Sequence, residues 1–249
     1  VLAVADAELR KLRHDPWELV SRAVQPVLWL LLFGQVMAQV RGIAPGSVAY
    51  LDFLAPGILA QSVLFVAIFY GISAIWERDL GVLQRYLVSP APRSALVIGK
   101  ALSSGLRAVS QAVVVYLCAL AMGVEVSLAP ASIAATVLLI ALGAGLFSSF
   151  SLIIACIVRT RERFMGIGQV LTMPIFFASN AIYPIDLMPR WLQAVAAVNP
   201  LTYEVDGLRA EMLRGGQSAF GLGWDLAALL LAAALMVAIA TRLYARLAA

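Results

Sequence analysis

IYPIDLMPRWLQAVAAVNPLTYEVDGLR, residues Ile182 to Arg209, separates two strongly apolar stretches with three prolines, a tryptophan, an asparagine and five charged residues. Tyr183-Pro184 ends the apolar run before it. Leu187, Met188, Trp191, Leu192, Val195 and Val198 then recur at helical spacing, which predicts an amphipathic helix too short to cross a bilayer. Asn199-Pro200 breaks that helix, because the residue before a proline is driven out of the helical region. A second amphipathic helix is predicted from Tyr203 to Leu213, with Glu204, Asp206, Arg209 and Glu211 on its polar side. Broken backbone at membrane depth is tolerated only where protein or a water-filled cavity satisfies it. The pair therefore reads as a re-entrant helical hairpin that covers or lines one end of a pathway. The plainer alternative is a resting place for the chain at the interface, with Trp191 in the aromatic belt.

This reading presupposes lipid, and the composition supplies it. Of 249 residues, 62% are hydrophobic and 13% charged, whereas a soluble domain is about 25% charged. Six stretches approach the roughly 20 residues that a spanning helix needs. They are Val24 to Val40, Leu51 to Trp76, Ala101 to Gly123, Ala131 to Val158, Met165 to Tyr183 and Trp224 to Tyr244. No cleavable leader is expected, because polar residues precede the first apolar run. The fold class expected is an all-α membrane protein of six transmembrane helices in a single domain over residues 1–249.

The net charge of +4 does not indicate nucleic acid, because the basic residues fall in loops. Thirteen of the Lys and Arg residues lie in the N-terminal segment, the second and fourth loops and the tail, while Arg41, Arg190, Arg209 and Arg214 lie in the opposite loops. By the positive-inside rule both termini are cytoplasmic and the hairpin faces outside. Arg107 lies within a span, where it either snorkels to the inner surface or lines a polar path. Cys118 and Cys156 stand inside apolar runs and read as small buried hydrophobes.

Catalytic signatures are almost lacking. SALVIGKA carries the Gly99-Lys100 pair of a phosphate loop, but Ser94 and Ala101 replace the glycine and hydroxyl residue that the loop requires. LRGGQ, Leu213 to Gln217, resembles a cassette signature with no Walker motif beside it. His14 is the only histidine, so no intramembrane serine or zinc site forms from one chain. The chain is not expected to be an enzyme or to bind a metal or cofactor; if ATP is used, a partner binds it with its Mg.

Two further segments complete the reading. In ADAELRKLRHDP, the residues Leu2, Ala5, Leu9 and Leu12 share one helical face while Glu8, Arg10, Lys11 and Arg13 occupy the others, which predicts an amphipathic helix on the inner leaflet. It either contacts a partner or merely anchors the first span. In WERDLGVLQRYLVSPAP, Leu80, Leu83 and Leu87 form a helical stripe between Asp79 and Val88, and Ser89 to Pro92 stop it. That stripe is buried either by the protein's own helix ends or by a soluble partner.

At these residues the chain resembles the ABC-2 transporter permeases, and within them the daunorubicin-resistance and nodulation-factor exporters. LRHDPWELVSRAVQPVLWLLLFG (Leu12–Gly34), ERDLGVLQRYLVSPAPRSALVIGKAL (Glu77–Leu102) and NAIYPIDLMPRWLQAVAAVNPLTYEVDGLR (Asn180–Arg209) carry the resemblance in the family's order. It implies a type V exporter in the bacterial inner (plasma) membrane, built of two permease chains, identical or related, and two ATP-binding cassette subunits. Residues 1–15, with Leu9, Arg10, Leu12 and Arg13, would be the connecting helix. Residues 78–92 would be the coupling loop that meets the ATPase, with Glu77, Arg78, Asp79, Leu80, Gly81, Leu83 and Leu87 at the contact. Residues 184–222 would be the extracellular hairpin or gate, with Pro184, Pro189, Trp191, Asn199, Pro200 and Arg209, and Arg107 is a candidate for the pathway. The substrate implied is an amphipathic small molecule, drug or lipid-like compound. A polysaccharide or lipid-linked glycan exporter, and a non-transporting anchor for an ATPase, stand as alternatives.

Overall fold

The computed structural model describes residues 24–38, 49–82, 93–158 and 160–244. The expected connecting helix, with Leu9, Arg10, Leu12 and Arg13, lies outside the described residues, as do Leu83 and Leu87.

Nine helices account for nearly all the regular structure among the described residues: α1 Val24–Met37, α2 Tyr50–Tyr70, α3 Ile72–Asp79, α4 Arg93–Ala121, α5 Pro130–Ile157, α6 Arg161–Phe177, α7 Arg190–Val198, α8 Pro200–Met212 and α9 Leu222–Leu243. The exceptions include a π turn at Trp29–Phe33 inside α1, a 3-10 turn at Ile185–Leu187 and one antiparallel bridge between Val126 and Leu213. Among the described residues four helical runs are long and apolar enough to cross a bilayer: Tyr50–Asp79, Ser94–Ala121, Pro130–Ile157 and Leu222–Leu243. Over the other two expected spans the described helices are shorter. α1 is a short apolar helix, and α6 has 17 residues, with Arg161, Glu162 and Arg163 opening it and Pro174 near its end.

The centre of the bundle is α2, in which 16 of 21 residues are buried. It packs against α1, α4, α5, α6 and α8, while α5 also receives α4, α8 and α9. The periphery belongs to α9, whose Leu230, Leu231 and Leu235 are exposed, as an apolar face turned to lipid should be.

The second predicted span is broken at Gly71, between α2 and α3. Ser151 on α5 donates its hydroxyl to the Ile68 carbonyl, and a side chain that competes for a helix carbonyl is a recognised cause of a kink. The helix expected between Asp79 and Val88 is likewise interrupted. α3 ends at Asp79, Leu80 and Gly81 turn, and Gly81 has φ +70°, a conformation glycine adopts without a side-chain penalty.

Candidate functional site

Three groups of side chains stand out, one at each end of the bundle and one in its middle. At the first end, Glu77 and Asp79 on α3 bind two other helices. Glu77 receives the Lys100 ammonium of α4 at 2.7 Å, and Asp79 receives the Arg161 guanidinium of α6 at 2.7 Å. The same Arg161 guanidinium lies 3.6 Å from the centre of the Trp76 ring, a stacked geometry that a lysine would not reproduce. Arg78 adds a second contact to Asp79 at 3.0 Å. Beyond this network Leu80 projects into the surroundings with 70% of its surface exposed.

The opposite end is built by the quoted segment. The end of α6 leaves carbonyls that the helix itself cannot satisfy. Asn199 supplies the donors: its amide nitrogen reaches the Ile175 carbonyl at 2.7 Å and the Ala178 carbonyl at 2.9 Å. Its oxygen accepts from the Leu201 N–H at 3.1 Å, capping α8, where Pro200 holds the first helical position. Pro184 precedes the 3-10 turn and Pro189 precedes α7. Tyr183 and Tyr203 donate to the Phe177 and Ala197 carbonyls, each at 2.6 Å. The result is a helical hairpin of α7 and α8, with the break at Asn199.

The hairpin exposes apolar side chains on α7 and buries ionisable ones, beside apolar neighbours, on α8. Trp191, Val195 and Val198 on α7 are exposed, Trp191 to 69%, while Met188 at the start of the same stripe is buried. On α8 the polar side turns inward: Glu204, Asp206 and most of Arg209 are buried. Arg209 donates to the Asn180 carbonyl at 2.9 Å, approaches Asp206 at 3.9 Å and lies 4.0 Å over the Phe53 ring. Asp206 and Asp225 of α9 both contact the Ser218 hydroxyl, at 2.8 and 2.7 Å. Glu204 is fully buried against Gly143 of α5, and neither carboxyl oxygen has a partner among the described residues. Burial therefore pushes its carboxyl well above the ordinary carboxylate range.

In the middle of the bundle, Gln61 of α2 and Gln111 of α4 are almost wholly buried. Both line a cavity between α1, α2, α4 and α6. Arg107, one turn before Gln111 on α4, lies over the Tyr70 ring at 5.4 Å. Neither glutamine belongs to a motif or a charged cluster in the sequence. A polar side chain near the centre of each of two apolar runs was the available signal, since such a group needs a partner in lipid.

The sequence profile of the ABC-2 type transporter family matches residues 1–213. Among similar proteins, ycf38 of Cyanophora paradoxa, named as a transport permease, is 30% identical over 205 residues, covering 80% of this chain and 69% of that protein. The daunorubicin resistance ABC transporter permease protein DrrB1 of Streptomyces coeruleorubidus is 25% identical over 235 residues, covering 94% of this chain and 81% of its own length. Nodulation protein J of Rhizobium leguminosarum bv. trifolii is 26% identical over 197 residues, covering 78% of this chain and 74% of that protein.

Proposed function

The chain belongs to the ABC-2 type transporter family, as a transmembrane permease and not a catalytic subunit, and on that premise we propose how it works. It forms the six-span permease of an exporter that moves an amphipathic small molecule, drug or lipid-like compound out of a bacterial cell across the plasma membrane. A separate cassette subunit hydrolyses ATP with Mg, and a second permease chain completes the pathway. Both termini and the Asp79 end face the cytoplasm, and the hairpin of α7 and α8 faces outside.

One observation supports coupling between the two ends above all others: α6 is bonded at both. Its first residue, Arg161, pairs with Asp79 beside the exposed Leu80, and the carbonyls at its far end are held by Asn199. A push on the Leu80–Leu87 loop by a closing ATPase is thereby delivered along one stiff helix to the hairpin. A partner shifts a conformational equilibrium only through contacts that differ between the two states, and this strut supplies such contacts at both ends. The daunorubicin-resistance name of one relative favours a drug-like cargo over a long polysaccharide.

The test is reconstitution of the permease with its cassette subunit in inside-out vesicles. ATP-dependent uptake of an amphipathic dye is expected, and ATP hydrolysis without uptake of any cargo class would leave the chain as an anchor. Cysteines at Gln217 and Glu162 check the orientation. Labelling of the Glu162 site from outside intact cells would reverse it.

A further inference from the structure

Ser218, in the loop between α8 and α9, is engaged by three partners at once. Its Oγ lies 2.8 Å from Asp206 Oδ2 on α8 and 2.7 Å from Asp225 Oδ2 on α9, and the Gly221 N–H donates to it at 2.6 Å. A hydroxyl has one proton to donate and two lone pairs that accept. The Gly221 N–H takes one lone pair, and the hydroxyl proton goes to one of the carboxylates. The second carboxyl oxygen, also at hydrogen-bond distance, meets the remaining lone pair and bonds to it only if it carries a proton of its own. Asp206 and Asp225 are both buried, so water does not relieve the conflict that two ionised carboxylates would set up.

Which carboxyl carries the proton follows from the remaining contacts. Asp206 Oδ2 also accepts from the Phe220 N–H at 3.1 Å, and Arg209 approaches Asp206 Oδ1 at 3.9 Å; both favour the ion. Asp225 Oδ1 is buried with no partner among the described residues, and the dipole at the start of α9 gives it partial charge but no donor. A carboxylic acid that donates from Oδ2 to Ser218 leaves Oδ1 as a neutral carbonyl, which is far less costly to bury alone than part of a carboxylate. The charges nearby agree with one bound proton. α8 carries Glu204, Asp206, Glu211 and a single base, Arg209, while α5, which packs against α8 and α9, has no Asp, Glu, Lys, Arg, His or Tyr. Neighbouring elements bring titratable groups that are bonded elsewhere: Tyr50 to the Ile182 carbonyl, Asp52 to the Glu125 N–H, Tyr116 to the Ser127 carbonyl and Tyr203 to the Ala197 carbonyl. Arg190 of α7 is exposed, and Arg214 donates to the Val126 carbonyl.

We propose that Asp206, Ser218 and Asp225 form a proton-binding site, with the proton on Asp225, that clasps the α8–α9 loop to both helices. Ser218 is only half-buried, which gives the proton a way to and from the water at that end of the bundle. When the proton leaves Asp225 for water, two carboxylates share one hydroxyl, and the loop around Ser218 and Phe220 releases from α8 and α9. The pH at this face thereby sets whether the hairpin is fastened to α9. The inference goes beyond the exporter reading and does not rest on it.

The test uses the full chain in lipid nanodiscs, carrying a nitroxide at Ala219→Cys with Cys118→Ala and Cys156→Ala, and reads label mobility across pH. The label is expected to be immobile in acid and to become mobile as pH rises, with the ratio of mobile to immobile label climbing about tenfold per pH unit, as for the loss of one proton. Asp225→Asn, whose amide donates to Ser218 as the carboxylic acid does, should hold the label immobile at every pH. Ser218→Ala should free it at every pH. Mobility that does not change with pH in the parent, or a transition in Asp225→Asn like that of the parent, overturns the proposal. Sodium or calcium chloride that keeps the parent's label immobile in alkali would show a metal cation in the clasp in place of a proton, and overturns it as well. If Ser218→Ala does not assemble, infrared spectroscopy in a Glu204→Gln background decides the matter. A carboxylic-acid carbonyl band that persists at about pH 6, well above the ordinary Asp value of about 3.9, is expected in that background and should vanish on adding Asp225→Asn. Absence of the band from the background, or its survival in the double variant, removes the proton from Asp225.

Discussion

Glu204 lies directly on Gly143, its carboxyl occupying the space into which any side chain at position 143 would project. The contact fixes α8 against α5 at a depth where neither group meets solvent. Gly143→Ala therefore forces the carboxyl aside, and overpacking of this kind costs about 1–3 kcal/mol. A lower melting temperature in detergent is expected, with partial recovery in the double variant Gly143→Ala/Glu204→Ala. Failure of the second substitution to compensate would show that the two residues are not coupled.

The same burial makes the protein sensitive to pH. Glu204 has a folded-state pKa raised above its unfolded value by desolvation, and the unfolded value is near 4.3. For such a group the stability is fully present below the unfolded pKa and is lost as pH rises through the folded one. Glu204→Gln removes this contribution and keeps the shape. The variant should therefore gain melting temperature over the wild type at pH 8 and lose that advantage at pH 4. An equal difference at both pH values would refute the assignment.

Asn199 and Trp191 separate structural from functional roles within the hairpin. Asn199→Ala removes two donors to α6 and the cap of α8, with an expected loss of about 2 kcal/mol or more. Asn199→Asp keeps the capping oxygen but sets a second oxygen against the Ile175 and Ala178 carbonyls, and should be worse. Trp191→Ala, at a mostly exposed position, should leave stability within about 0.5 kcal/mol and still reduce export. Equal loss of abundance and export for Trp191→Ala would return that residue to a purely structural role.

Leu80, 70% exposed, directly follows Asp79 of the Asp79–Arg161 pair, and it is one of the three leucines of the proposed ATPase contact. Burying a leucine is worth roughly 1.5–3 kcal/mol, so its loss weakens a complex by about tenfold or more. Leu80→Asp and Leu83→Asp should leave insertion intact, release the cassette subunit in pull-downs and stop export. Wild-type retention of the ATPase by both variants would remove this loop from the coupling path.

Much of the architecture was legible because apolar runs, prolines and Asn199-Pro200 carry local physical meaning. The orientation of the hairpin faces was legible only in part. In water an amphipathic helix buries its apolar stripe, but in a bilayer lipid is the apolar phase, so Trp191 and Val198 face out while Glu204, Asp206 and Arg209 turn in. At Gly71 the sequence offers only a glycine within an apolar run, and the hydroxyl on the Ile68 carbonyl comes from Ser151, a residue far along the chain. Gln61 and Gln111 each look like a single polar residue in an apolar run. Their meaning appears only when α2 and α4 bring them to one cavity.

The bridge between Val126 and Leu213 has a mechanical consequence. Ser127 donates to the Met212 carbonyl at 2.7 Å and Arg214 to the Glu125 carbonyl at 2.8 Å, so the far end of α8 is tied to the α4–α5 loop just as its near end is tied to α6 through Asn199. A helix secured at both tips acts as a crossbar. It resists the spreading of α6 from the α4–α5 pair, so an exit route within one chain is not expected to run between them. Welding the crossbar with a disulfide from Val126→Cys and Leu213→Cys should accordingly leave export unimpaired, and a reversible block by that disulfide would place the exit in this gap after all.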